Sequence, residues 1–105
     1  MITKGIYALA AQVNSENLLH KKHPERRAPA VLWVTPSAPF RLDPRLGSGL
    51  HDGVALQDIA IEHDCLIGVV YREGQDSWVP WGVGAESITI TIPLMHIVTA
   101  HVLHG

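Results

Sequence analysis

The chain has little charge and a single cysteine, and each scarcity excludes a class of protein. Charged residues make up 17% of the 105 positions and the formal net charge is −2, which argues against a nucleic-acid-binding surface. One cysteine excludes a disulfide framework and indicates a reducing, cytoplasmic compartment. No apolar run is long enough to cross a membrane, and the first residues lack the pattern of a signal peptide. We therefore expect a cytoplasmic protein without nucleic-acid or membrane partners.

Hydrophobic residues are plentiful: they make up 47% of the chain. A chain of 105 residues is long enough for a single core, and we expect one domain over residues 1–105. Its surface is short of charge, so some apolar surface is left for a partner subunit or a ligand to cover. We therefore expect a homodimer or a higher homo-oligomer, or a ligand-binding surface.

The N-terminal region has the three- and four-residue spacing of an amphipathic helix. This spacing predicts a helix over about residues 3–19, with polar residues on its other faces. Pro24, in the basic stretch that follows, ends any helix. The apolar stripe consists of Ile2, Ile6, Leu9, Ala10 and Val13.

The middle of the chain alternates strand patterns with turns. Residues 30–35 form a nearly continuous apolar, β-prone run, which predicts a strand covered on both faces. The alternation over residues 53–62 slips phase near Gln57, and such a slip predicts a β-bulge or a bend. Residues 63–64 separate two strand patterns and predict a tight hairpin. A further short edge strand is predicted at residues 40–42.

The last part of the chain changes its hydrophobic period at Pro93. Residues 87–92 alternate isoleucine with serine or threonine, the pattern of a strand with one buried face. Pro93 has no N–H for a strand ladder and suits the first turn of a helix, and apolar residues follow it at spacings of three and four. We expect a strand that runs directly into a short C-terminal helix at about residues 93–103.

Together these elements predict an α+β fold. We expect an N-terminal helix, a twisted antiparallel sheet of about five strands curled into a partial barrel, and the short C-terminal helix. The β-rich core is expected at about residues 30–92.

Two tryptophans in a late loop form the best candidate binding site. Trp78 and Trp81 flank a valine and a proline, and indoles on such a loop offer a large, rigid contact area for a peptide or a planar ligand. Alternatively, both rings fold back as a lid over the open end of the sheet. The predicted ligand-binding residues are Phe40, Tyr71, Arg72, Trp78 and Trp81.

Seven histidines raise the question of a metal site, but their spacing does not bring three of them together. Residues 63–65 contain the histidine, aspartate and cysteine of a thiol catalytic set, yet neighbours on a strand point to opposite faces. We therefore predict no catalytic residues, no metal and no cofactor. A metal site shared between subunits of an oligomer stays open as an alternative.

The order of elements resembles that of the stringent starvation protein B family, adaptors that hold peptide degradation tags and pass them to the ClpXP protease. The resemblance runs from the N-terminal helix through VLWVT and APFRLDPRLG to the hairpin IAIEHDCLIGVVY, and it ends with SITITIPLMHIVTA. It implies an apolar groove on the sheet that receives an extended peptide, and a dimer formed through the N-terminal helix. The dimer contacts that it implies are Ile2, Ile6, Leu9 and Val13.

Two features depart from that family. Its members end in a long flexible tail that docks on the unfoldase, whereas this chain stops at Gly105. The loop over residues 75–86 is longer than the family's glycine-rich turn and adds both tryptophans. We expect a ligand that differs from the tags bound by the family.

The predicted function is a non-enzymatic binding module. An extended peptide or degradation tag would lie against an exposed strand edge and an aromatic pocket, with main-chain hydrogen bonds supplying the affinity. An alternative is a small phage-type inhibitory or sequestering protein that encloses a nucleotide-like ligand between subunits. A metal-dependent enzyme that uses histidines from different subunits is the third hypothesis.

Overall fold

One helix packs on one face of an antiparallel sheet. The structure, a computed structural model, describes residues 3–37, 53–73, 77–79 and 86–104. Within these ranges the predicted α+β class is confirmed. The elements in chain order are α1 (Thr3–Lys22), β1 (Ala30–Pro36), β2 (Val54–Glu62), β3 (Cys65–Glu73), β4 (Ser77–Val79), β5 (Glu86–Pro93), a 3-10 turn (Leu94–His96) and β6 (Ile97–His104).

Helix α1 forms where the sequence predicts it and continues to Lys22. Alanine and leucine, which lose little side-chain freedom in a helix, fill much of its length. The basic last turn complements the partial negative charge at the C-terminal end of the helix. Its buried face consists of Ile6, Ala10 and Val13. Among the described residues there is no helix with both the length and the apolar character that crossing a bilayer requires.

The apolar face of α1 packs inside the chain, and the dimer predicted through it stays a prediction. Ile6 and Val13 are 1% and 0% exposed in the single chain because they pack into its core. Leu9 is half-buried against the same core, and Ile2 lies outside the described residues. A partner subunit would reach these side chains only if the helix left the sheet and opened the core to water.

Strand β3 has more partners than any other described strand. It pairs with β5 along one edge, and along its other edge with β2 near its start and with β4 near its end. Strand β2 continues to β1, which pairs with β6, so β5 and β6 are the outer strands and every pairing is antiparallel. No pairing among the described residues joins β5 to β6, so the sheet is not closed. The core residues are Ile6, Ala10, Val13, Leu32, Val34, Val54, Leu56, Ile59, Leu66, Val70, Ile88, Ile90, Ile92, Leu94 and Ile97.

The predicted hairpin and the predicted bulge are both confirmed. His63 and Asp64 have φ angles of 51° and 60° and form the two-residue turn between β2 and β3. The register between β2 and β3 shifts between Gln57 and Ala60. Asp58, inside that shift, has a φ of 49°, a left-handed conformation that aspartate tolerates better than most residues. The bulge is therefore the bend that the phase slip predicts.

Strand β1 is confirmed at Ala30–Pro36, and four of its seven residues are buried on both of its faces: Ala30, Val31, Leu32 and Val34. This explains its nearly continuous apolar run. The short strand predicted at residues 40–42 lies outside the described residues.

The predicted C-terminal helix is wrong. Leu94–His96 is a single 3-10 turn, and the chain then continues as strand β6, which pairs with β1. Pro93 does end β5, as the sequence predicts. Three consecutive β-branched residues, Ile97, Val98 and Thr99, favour the strand because their side chains lose rotamer freedom in a helix.

A bulge in β6 explains the helix-like spacing that misled the prediction. Thr99 pairs with Thr35 of β1, but Ile97 pairs with Pro36, so β6 has one extra residue at this point. The core-facing positions of β6 therefore step by three residues, from Ile97 to Ala100, before the normal step of two resumes. A single step of three in an apolar sequence looks like one turn of an amphipathic helix.

Two asparagine side chains of α1 hydrogen-bond to strand backbone. The Asn14 amide nitrogen donates to the Ile59 carbonyl at 2.8 Å, and the Ile59 N–H donates to Asn14 Oδ1 at 3.0 Å. Asn17 makes the same pair of bonds to Ala30, at 2.8 and 2.7 Å. Each amide thus takes the place of a neighbouring strand. At the bulge, the Asn14 amide thereby supplies hydrogen-bond partners to the main-chain groups of Ile59, where the pairing between β2 and β3 is interrupted.

Replacing Asn14 with Ala is expected to lower the free energy of unfolding by about 1–2 kcal/mol, because the main-chain groups of buried Ile59 lose their partner. Ser15→Ala, at an exposed neighbouring position, is expected to change it by less than about 0.5 kcal/mol. Urea denaturation of both variants measures the difference. Equal stabilities would show that water replaces the asparagine without cost.

Gly68→Ala is expected to destabilise the fold by about 1–3 kcal/mol, because the new Cβ would lie 2.9 Å from Cβ of fully buried Leu56. Gly5→Ala is the matched control, since a Cβ on this exposed helix residue meets nothing within 4 Å. The control is expected to raise stability by about 0.5–1 kcal/mol. Thermal unfolding of the two variants should therefore shift in opposite directions, and a shared direction would contradict the packing described for β3.

Candidate functional site

The predicted ligand-binding residues are placed only in part. Arg72 on β3 pairs with Trp78 of β4 on one side and with Glu86 of β5 on the other, so the backbone brings these positions together at one end of β3. Phe40 and Trp81 lie outside the described residues, and so does any lid formed by the tryptophan loop. The described part of the candidate site is thus the β4–β3–β5 end of the sheet.

Of the predicted ligand-binding residues, Tyr71 is the one whose side-chain contacts the structure describes. Its hydroxyl donates a hydrogen bond of 2.9 Å to Oδ2 of Asp58, at the bulge of β2. This bond to the carboxylate, with burial and the negative charge of Asp58, raises the pKa of Tyr71 above its ordinary value of 10.0. The phenol therefore anchors β3 to the bulge, and only its ring is left to line a binding surface.

A half-buried apolar stripe runs along β3 on the sheet face that turns away from the core. Leu66, Gly68 and Val70 are buried on the core face, so the alternate residues of the strand lie on the opposite face. Directly across from them on β5 are exposed hydroxyl residues. The outer stripe consists of Ile67, Val69 and Tyr71, paired with Thr91, Thr89 and Ser87 respectively.

Strand β5 leaves one of its edges without a strand partner among the described residues. Its core face is filled by isoleucines, and its other face by Ser87, Thr89 and Thr91. An outer strand of this kind presents a row of main-chain N–H and C=O groups that a further extended chain can pair with. The outer stripe lies on β3, one strand inward from that edge.

The sequence analysis missed the outer stripe, although a signal was present. Residues 65–71 are apolar at every position, which indicates a strand with apolar side chains on both faces. The alternation in β5 predicted that its isoleucines are buried, but it assigned no role to its threonines. What the sequence lacked was the register that sets Thr89 across from Val69.

A concave feature elsewhere in the structure, the corner pocket, lies where the end of α1, the turn after it and the end of β6 meet. Its volume is about 190 Å³. His104 Nε2 and Glu16 Oε1 are 2.5 Å apart at its wall. The lining residues are Glu16, Leu19, Arg26, Arg27, Ala28 and His104.

Glu16 has a pKa below its ordinary value of 4.5. Burial raises this pKa, but hydrogen bonds from Gln12 and His104 and the charges of His104 and Arg27 together outweigh the desolvation. The carboxylate is therefore favoured in its ionised form. Stabilisation from this group is present above pH 4.5 and is lost as the pH falls through the lowered pKa.

The histidines in the described part of the chain do not converge on a metal site. Among the described residues no group of three or more histidine, cysteine, aspartate or glutamate side chains lies close enough to hold an ion. His104 contacts Glu16, and the ring of His20 contacts the Arg27 carbonyl at the end of the helix. Cys65 is a free, half-buried thiol at the start of β3. A metal site shared between subunits stays a prediction.

Comparisons with known proteins do not assign the chain to a family or a function. No family model matches the chain, and neither the curated proteins nor the solved structures contain a match.

The contact between Tyr71 and Asp58 predicts an alkaline transition. Because the folded pKa is raised, this contribution to stability is present below pH 10.0 and is lost as the pH rises through the raised value. In a Tyr7→Phe variant, Tyr71 is the one remaining tyrosine. Its ultraviolet absorbance titration is expected to have a midpoint above 10.0.

Adding Asp58→Asn to that variant is expected to lower the Tyr71 midpoint, since asparagine tolerates the backbone of residue 58 but carries no charge. Glu62→Gln, an exposed carboxylate later in the same strand, serves as the control and is expected to leave the midpoint unchanged. A midpoint insensitive to Asp58→Asn would contradict the assigned hydrogen bond.

Proposed function

We propose that the protein is a non-enzymatic binding module that takes up an extended peptide segment along the free edge of β5. The peptide would pair its main chain with β5 and lay alternate side chains over the outer stripe. The observation that carries the proposal is the register that sets a half-buried apolar stripe beside an outer strand without a partner in the described part of the chain.

The chemistry of the two strands supports this arrangement. Thr89 and Thr91 are exposed and small, so they leave room for a further strand, whereas lysine on an edge opposes such pairing. Ile67 and Val69 are half-buried, and a peptide that covers them gains apolar burial in addition to main-chain hydrogen bonds. The edge would supply affinity, and the stripe would select apolar side chains at alternate peptide positions.

The predicted aromatic groove extends the same site in this proposal. Trp78 is adjacent to Arg72 at the end of β3 where β5 begins, so a peptide on β5 would reach the tryptophan loop at one of its ends. Phe40 and Trp81 belong to the proposal as sequence predictions. A peptide degradation tag is the ligand class implied by the resemblance to the stringent starvation protein B adaptors.

We further propose that the sheet bends toward a partial barrel around its core. Three residues, Leu94–His96, connect outer strand β5 to outer strand β6, and the four Cα–Cα steps from Pro93 to Ile97 span at most about 14 Å. In a flat sheet, four strand spacings would separate these strands by about 19 Å. The short connection therefore supports a bend that brings the ends of β5 and β6 closer together.

The test is a matched pair of substitutions on the two outer strands. A display library of short unstructured peptides is screened against the protein to obtain a peptide ligand. Calorimetry then measures the affinity of this peptide for the unaltered protein, for Thr89→Lys on β5 and for Thr99→Lys on β6. Both threonines are exposed. Thr89→Lys is expected to weaken binding at least tenfold because it places a charge on the paired edge, and Thr99→Lys is expected to leave binding unchanged.

Amide hydrogen exchange locates the peptide independently. The β5 amides that face the free edge are expected to gain protection when the peptide binds. Protection confined to β6, equal losses in both lysine variants, or a failure of the library to yield any ligand would overturn the proposal.

A further inference from the structure

Strand β6 is the second outer strand of the sheet, and its free edge lacks the residues that commonly block strand pairing. It pairs with β1 along one edge, and no described strand pairs with its other edge. Proteins often place proline or charged side chains on an edge to prevent pairing with another chain, but β6 contains no proline, lysine, arginine, aspartate or glutamate. After the bulge at its start, Thr99–His104 follows β1 in unbroken register. A regular edge of about 20 Å is therefore open to pairing.

Apolar side chains along this edge are in contact with solvent. Val98 is 57% exposed and Leu103 is 43% exposed, and Met95 in the preceding turn is 74% exposed. Ala100 and Val102 pack against the core but are half-buried. A chain that paired with β6 would cover these groups and add hydrophobic burial to the main-chain hydrogen bonds.

One flank of α1 lies beside the same edge. Glu16 contacts His104 at the end of β6, whereas Asn14 bonds to Ile59 of β2, so these two residues mark opposite flanks of the helix. Leu9 lies on the flank of Glu16, because seven residues are close to two helical turns. Its side chain is half-buried. A chain that paired with β6 would therefore also meet the Leu9 flank of α1.

A second copy of the chain fits this edge because β6 can pair with itself. Directly opposite residues of antiparallel strands have their side chains on the same face of the sheet. In a symmetric pair, a residue therefore lies opposite itself or opposite a residue an even number of positions away. Placing His101 opposite itself overlaps the two strands over Val98–His104 and sets no two lysine, arginine or carboxylate side chains against each other. The other opposite pairs are Thr99 with Leu103, Ala100 with Val102, and Val98 with His104.

We propose that two copies of the chain form a dimer through β6, as one continuous sheet with His101 on the two-fold axis. The axis is perpendicular to the sheet, so both α1 helices lie on the same face and turn their Leu9 flanks toward each other. A second copy thus supplies both the strand and the helix that cover the exposed apolar groups. One strand edge and one helix flank make a small interface, and we expect a dissociation constant in the micromolar range.

The two outer strands of the sheet have different surroundings, and this assigns the dimer to β6. Helix α1 packs on β1, β2 and β6, so its flank is available beside β6. The exposed residues of β5 that face away from the core are Ser87, Thr89 and Thr91, which offer less apolar surface. The dimer leaves the β5 edge of both copies free, and it does not rest on the proposed binding of a peptide there.

Analytical ultracentrifugation of the full chain at about pH 8, where an ordinary histidine is neutral, tests the dimer. The sedimenting species is expected to change from monomer to dimer as the protein concentration rises through the micromolar range. His101→Lys is expected to weaken dimerisation at least tenfold, because it sets two lysines directly opposite each other. Thr89→Lys is the matched control on β5 and is expected to leave the dimer unchanged. Both side chains are exposed, so neither change disturbs the core.

Three results of this experiment would overturn the proposal. The first is a monomer at every concentration, and the second is an equal loss of dimer in the two lysine variants. The third is a dimer that His101→Lys does not weaken, which would favour another interface such as the α1 contacts implied by the family resemblance.

Disulfide trapping tests the register independently. In a Cys65→Ser background, His101→Cys sets two thiols opposite each other at the Cα separation of about 4.5–5.5 Å between paired strands, which a disulfide can bridge. Thr99→Cys is the control, because its two copies would lie about 13 Å apart along the strands. Mild oxidation and non-reducing electrophoresis are expected to show covalent dimers for His101→Cys and monomers for Thr99→Cys. Any other pattern contradicts the proposed pairing.

Discussion

The hydrogen bonds of two asparagine amides to strand backbone are the constraint on which the rest of the structure depends. An apolar helix face packs on a sheet without a unique position along it, because burial is non-directional. Asn14 and Asn17 remove that freedom. The Asn14 amide hydrogen-bonds to the N–H and the C=O of Ile59, and the Asn17 amide hydrogen-bonds to those of Ala30. Hydrogen bonds of this kind require a defined distance and angle. The helix thereby fixes the start of β1 and the bulge of β2 relative to each other.

The bulge connects this constraint to the candidate site. Asn14 holds it from the helix side, and Tyr71 holds it from β3 through Asp58. Before the bulge β2 pairs with β1, and from the bulge onward it pairs with β3, so the far end of β3 is left for β4 to pair with. The position of Trp78 beside Arg72 follows from this exchange of partners. One local irregularity thus arranges the end of the sheet where the predicted ligand residues meet.

The elements predicted well were those whose signals are local. The phase slip at Gln57 and the two-residue turn at His63 needed only a few neighbouring residues to be recognised. The C-terminal helix was wrong because a bulge between Ile97 and Ala100 produced a helical spacing inside a strand. The predicted dimer contacts illustrate another limit: an amphipathic stripe indicates that Ile6 and Val13 are buried, but it does not show against what.

The sequence by itself determined the α+β class, the helix, the hairpin and the buried isoleucines of β5. These features depend on the hydrophobic period and on turn residues, which are local properties of neighbouring positions in the chain. Tertiary structure alone decided which strands are neighbours, and with them the outer stripe and the corner pocket. Val69 and Thr89 are twenty residues apart, and Glu16 and His104 are eighty-eight apart. No local pattern encodes such contacts, since they exist only after long loops have closed and the core has formed.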